Sequence, residues 1–102
     1  MSIDSNSGEV ITKAEARALI AAFKIKHPTE VTAFMVGNTN VQKIINQVDC
    51  VGIRIYNGYD AATAKMNQVL VGVNNNGDDM IDGVIIDRLV PCPPYCSALN
   101  LM

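Results

Sequence analysis

Three cysteines are the residues of this 102-residue chain best able to do chemistry: Cys92 and Cys96, separated only by Pro93, Pro94 and Tyr95, and Cys50 far upstream. A Cys-x-x-Cys pair opening a βα unit would suggest a thioredoxin-like dithiol. The spacing here is one residue longer, and no βα pattern surrounds it. A structural zinc site draws its ligands from Cys and His. It would need Cys50, Cys92, Cys96 and the single His27 all together, so no metal site is predicted. The pairing stays open: Cys92 with Cys96, either of them with Cys50, or three reduced thiols with Cys50 as a small buried apolar residue. A thiol-redox or metal-linked protein using Cys50, Cys92 and Cys96 is therefore one functional class to weigh.

Arg54 and Tyr56 are the other candidates, on a segment of alternating apolar residues, Cys50-Val51-Gly52-Ile53-Arg54-Ile55-Tyr56. A guanidinium beside a bare glycine could anchor an acidic small molecule, while the plainer expectation pairs Arg54 with a nearby carboxylate. The run Asn74-Asn75-Asn76-Gly77-Asp78-Asp79 places Asn74, Asn76, Asp78 and Asp82 at alternating positions of a calcium loop. An EF-hand also needs glycine at its sixth position and a bidentate acid at its twelfth. Those places hold Asp79 and Ile85, so a polar hairpin turn is expected instead. His27, beside Pro28, suits a solvated helix-end cation. No phosphate loop, nucleophile elbow or paired catalytic glutamates occur, which leans against an enzyme.

The elements that must position these residues follow from periodicity. Thr12-Lys13-Ala14-Glu15 has the form of a capping box, and Ala16, Leu19, Ile20 and Phe23 then share a face of a helix that Pro28 stops. Val31 to Val36 is a short strand or an extended connector. Thr39-Asn40-Val41-Gln42 reads as a second capping box. Val41, Ile44, Ile45 and Val48 follow as an apolar stripe, with Gln42, Lys43, Asn46 and Gln47 facing away. From Cys50 the period becomes two, predicting a strand to Tyr56, a loop through Asn57-Gly58-Tyr59-Asp60, and a second strand over Val69–Val73. Setting Gly52 opposite Gly72 aligns Ile53 with Val71 and Ile55 with Val69, and leaves both glycines as bare backbone on the other face. The Asn-Gly turn precedes a third strand at Val84-Ile85-Ile86. The expected fold class is α+β: two helices on a three- to four-stranded, mainly antiparallel sheet. Residues 1–102 form one domain, with 1–9 a flexible lead-in and 91–102 an extended Pro/Cys-rich tail.

Composition narrows the partners. Apolar residues make up 49% of the chain and charged residues 18%, which favours a folded core over disorder. Eight Lys+Arg against ten Asp+Glu leave a net charge of −2 and no basic stripe, so nucleic acid is not an expected partner. The polar, acidic start lacks the features of a secretory signal, and no apolar run approaches the length of a membrane helix. A cytoplasmic location, no membrane partner and no cofactor are expected.

With the Cys50–Tyr56 segment, the Val69-Leu70-Val71-Gly72-Val73 strand and the Pro91-Cys92-Pro93-Pro94-Tyr95-Cys96 tail laid out, the chain resembles a family of small uncharacterised bacterial proteins. The likeness runs from the first helix, with its Ile-Thr-x-x-Glu-Ala-like start, to the tail. The Asn-rich turn departs from it, since the family more often carries Asp there. The resemblance implies a bacterial, complete single domain and transfers no site residue. The leading functional expectation is a non-catalytic interaction or self-assembly protein, partnered with itself as a homo-oligomer or with another protein. Pro93, Pro94, Tyr95 and Leu99 are its candidate interface. A small acidic-ligand binder using Arg54 and Tyr56 ranks third.

Overall fold

A computed structural model describes residues 2–102. The class is α+β, with two helices, a three-stranded antiparallel sheet and a two-stranded antiparallel sheet. The chain divides into two compact units: a sheet unit, residues 2–8 with Val36–Leu89, and a tail unit, Glu9–Met35 with Val90–Met102. No Gly/Ser/Pro-rich linker signals that division. No helix of the described residues is long and apolar enough to cross a membrane.

In the tail unit, α1 runs Lys13–Lys26. Thr12 caps it as the sequence predicts, its Oγ1 accepting from the Glu15 amide at 3.1 Å. His27 is the C-cap; its amide donates to the Phe23 carbonyl, and its ring lies 5.1 Å from the Phe23 ring. The Val31–Val36 segment contributes β1, Ala33–Met35, which pairs antiparallel with β5, Val90–Cys92. Beyond β5 the tail turns back on itself. Its amides at Tyr95 and Cys96 donate to the carbonyls of Pro91 and Pro94, and Cys92 is bonded to Cys96. The peptide bonds into Pro93 and Pro94 are cis.

The sheet unit is built on a long hairpin. Here β2 is Cys50–Asp60 and β3 is Lys65–Asn74, with β4, Ile85–Ile86, on the far side of β3. The expected loop at 57–60 is strand instead. The reversal falls at 61–64, where Asp60 Oδ1 accepts from the Ala62 amide and Ala64 adopts φ 55°. That turn sets the register. It pairs Asp60 with Lys65 and, up the ladder, Ile55 with Leu70, Arg54 with Val71, Ile53 with Gly72 and Gly52 with Val73. The expected Gly52–Gly72 alignment is thus off by one residue. A bulge between Cys50 and Gly52 absorbs the difference and returns Cys50 opposite Asn74. The two glycines therefore lie on opposite faces, and there is no shared bare patch.

The second helix, α2, spans Asn38–Ile45 and is capped by the Gly37 backbone rather than by a Thr39 box. The amides of Asn40 and Val41 both donate to the Gly37 carbonyl, which starts the helix two residues early. Because it stops at Ile45, Gln47 and Val48 no longer follow the helical periodicity. Val48 is exposed, and Gln47 turns inward instead of facing away. Its Nε2 donates to the Ile44 carbonyl at 2.9 Å, and its Oε1 accepts from the Val84 amide at 2.8 Å. The side chain fits because Gly72 and Gly83 leave room: a Cβ at Gly83 would lie 2.2 Å from Oε1, and one at Gly72 3.0 Å from Nε2. The buried apolar side chains, Ile44, Leu70, Val71, Val73 and Leu89, all belong to this unit. Residues 70–73 are buried consecutively because β3 is the central strand.

Candidate functional site

Alternation along β2 puts Gly52, Arg54 and Tyr56 on one face. The hairpin turn after β3 brings a carboxylate to that face. Gly77 adopts φ +82°, Asn74 Oδ1 accepts from the amides of Asn76 and Asp78, each at 3.0 Å, and Asp79 bridges back to Val73. Asp79 then faces Arg54 across the sheet. Arg54 Nη1 donates to Asp79 Oδ1 at 2.6 Å and to the Gly77 carbonyl at 3.3 Å, while the Tyr56 hydroxyl donates to Asp79 Oδ2. Each partner shifts the other's titration. The Tyr56 hydrogen bond, followed by Arg54, holds the Asp79 carboxyl below its ordinary value against the opposing cost of burial. Asp79 in turn raises the Tyr56 hydroxyl, with burial adding to it, and raises the Arg54 guanidinium.

The cluster therefore realises the plainer of the two sequence expectations for Arg54. Its guanidinium and the Tyr56 hydroxyl are joined through an internal carboxylate, so an acidic ligand would have to compete with Asp79. A groove of about 420 Å³ lies beside it, lined by Ile3, Asp4, Gly52, Arg54, Ile55 and Val73 among others. Asp79 was missed by sequence reasoning. The signal that could have found it is the Asn-Gly turn, which fixes how far past β3 a residue returns to the sheet.

The remaining candidates separate cleanly. The Asn/Asp turn spends Asn74 Oδ1 on backbone amides, and among the described residues no three of His, Cys, Asp and Glu gather to hold a metal ion. Cys92 and Cys96 are bonded, with Cα atoms 5.0 Å apart. Cys50 is a free, half-buried thiol that donates to the Gly52 carbonyl. Two of the four groups a zinc site would need are thus occupied by each other. In the tail, Pro93, Pro94, Tyr95 and Leu99 all face solvent, Tyr95 at 72% and Leu99 at 90% exposure. No family model matches the chain, and no curated protein or solved structure is similar to it.

Proposed function

We propose that the protein is a non-catalytic interaction or self-assembly protein working as a homo-oligomer, and that it belongs with the small bacterial proteins its strands and tail resemble. One observation carries the assembly reading: no residue of the tail unit is buried. That unit nonetheless presents Leu19, Phe23 and Ile25 on α1 and Tyr95 and Leu99 on the tail. Apolar side chains left uncovered in a small chain favour a subunit interface. Pro93 and Pro94 stiffen the tail and so present Tyr95 at low entropic cost. Protein rather than nucleic acid is the partner that a net charge of −2 favours.

Light scattering with and without reductant tests this reading. A defined oligomer is expected, and deletion of residues 91–102 should weaken it. A monomer throughout refutes assembly, and an oligomer indifferent to the deletion refutes the tail as interface.

A second reading, thiol-redox chemistry, is favoured by the Cys92–Cys96 bond alone. The bond also bears on the proposed cytoplasmic location, because structural disulfides persist in oxidising compartments. Alkylation of protein quenched directly in cells distinguishes the cases. Reduced Cys92 and Cys96 support the cytoplasmic assembly reading; a bonded pair moves the protein to an oxidising compartment or to redox cycling.

A further inference from the structure

The three-stranded sheet has the order β2-β3-β4, so its longest edge is the outer side of β2. An edge strand displays a row of unpaired amides and carbonyls, and proteins that stay monomeric blunt such edges with charge, proline or short length. This one carries a bulge at its start and two charges of opposite sign, and is otherwise open. It runs from Cys50 to Asp60, contains no proline and no lysine, and exposes Ile55 at 57% and Tyr59 at 68%.

We propose that the outer edge of β2 pairs antiparallel with β2 of a second copy, about a twofold axis at Asn57. The proposal rests on the self-assembly reading and specifies one of its interfaces. A symmetric antiparallel ladder matches residues whose numbers sum to a constant. Centring it on Asn57 places Arg54 opposite Asp60 of the other copy, Ile55 opposite Tyr59, and Tyr56 opposite Gly58. These are the only two charged side chains on the strand, they are of opposite sign, and this centre alone brings them together. Arg54 reaches across the sheet to Asp79 and Gly77 through Nη1, so its pairing with Asp60 of the other copy competes with that internal contact. Asp60 uses Oδ1 on the Ala62 amide and keeps Oδ2. Ile55 and Tyr59 form an aliphatic–aromatic cross-strand pair. The ladder spans 54–60 of each copy and leaves free the part of the edge at Val51–Ile53, beside which residues 2–7 lie.

The test places a cysteine on the axis. Directly opposed residues of an antiparallel pair have Cα atoms about 4.5–5.5 Å apart, inside the roughly 4.4–6.8 Å range of a disulfide. Asn57→Cys in a Cys50→Ser background, under mild oxidant, should form a covalent dimer almost quantitatively at concentrations where the parent is dimeric. Asp60→Lys sets like charges opposite each other at two symmetry-related places and should weaken dimerisation about tenfold. Asp60→Asn, which keeps the bond to the Ala62 amide, should weaken it by a smaller factor that shrinks further with salt. An oligomer that neither crosslinks at position 57 nor responds at position 60 overturns this edge and leaves assembly to another surface. A monomer in every condition overturns both.

Discussion

Gln47 joins the end of α2 to the start of β4 through one carboxamide, and glycine at position 83 is what admits it. Each of its two hydrogen bonds is worth a net of about 1 kcal/mol, so Gln47→Ala should destabilise the sheet unit by about 2 kcal/mol. Gly83→Ala reaches the same end by another route. A Cβ there would stand 2.2 Å from Gln47 Oε1 and 3.2 Å from the Met80 carbonyl, so the carboxamide must leave. That again forfeits about 2 kcal/mol of hydrogen bonding. Once Gln47 is alanine, the 2.2 Å clash is gone and the nearest remaining atom to the new methyl is the Met80 carbonyl at 3.2 Å. The double variant should therefore cost about 2 kcal/mol rather than the roughly 4 kcal/mol of independent sites. Urea unfolding followed by circular dichroism measures all three, and an unchanged slope secures the comparison. Additive losses in the double variant, or single losses under about 0.5 kcal/mol, would refute the clamp.

Other outcomes follow from the same geometry. Asp79 titrates below its ordinary value of 3.8, so its contribution is present above that pH and should fade on acidification through its lowered folded value. Tyr56 titrates above its ordinary value of 10.0, so its contribution is whole below pH 10.0 and should be lost as pH rises through its raised value. Tyr56→Phe should abolish the alkaline limb of stability against pH and shrink the acid limb, since its hydroxyl is the first cause holding Asp79 low, and Asp79→Asn should flatten both. The bond between Cys92 and Cys96 closes a short loop, for which chain entropy gives about 2 kcal/mol. Cys92→Ser with Cys96→Ser should cost the tail unit that much, and the parent denatured without reductant should show one reactive thiol, Cys50. Ala64 holds φ 55°, a conformation that costs a non-glycine residue about 1–2 kcal/mol. Ala64→Gly should stabilise the hairpin by about 0.5 kcal/mol after the added freedom of the unfolded chain is subtracted, readable as a higher urea midpoint.

Local signals in the sequence located the elements well where a single residue decides the matter. Thr12 and Pro28 bracket α1, and the Asn76-Gly77 turn lies between β3 and β4. Register was not legible, because it depends on where the hairpin reverses. Asn57-Gly58 has better turn chemistry than Ala61-Ala62-Thr63-Ala64, yet it is strand, held by pairing on β3. One residue's difference there moved Arg54 from Leu70 to Val71 and separated the two glycines. The inward turn of Gln47 was hidden for a related reason: helical periodicity applies only while the helix lasts, and α2 stops two residues earlier. Arg54 and Tyr56 were visible as candidates, but finding their shared partner Asp79 required carrying the Asn76-Gly77 turn forward into a register on β3.

The turn that delivers Asp79 also governs how the chain ages. In a mobile peptide the amide nitrogen of a glycine attacks the side-chain carbonyl of a preceding asparagine, expelling ammonia. The cyclic imide left behind opens with water to aspartate or isoaspartate. Asn76-Gly77 is such a pair, and Asn74 restrains both halves of it. The Asn74 carbonyl accepts the Gly77 amide proton at 3.0 Å, and Asn74 Oδ1 accepts from the Asn76 amide at 3.0 Å. Deamidation then waits on local opening of the hairpin. The slow appearance of one extra negative charge per chain during storage becomes a clock for that opening, and replacing Asn74 should make it run faster.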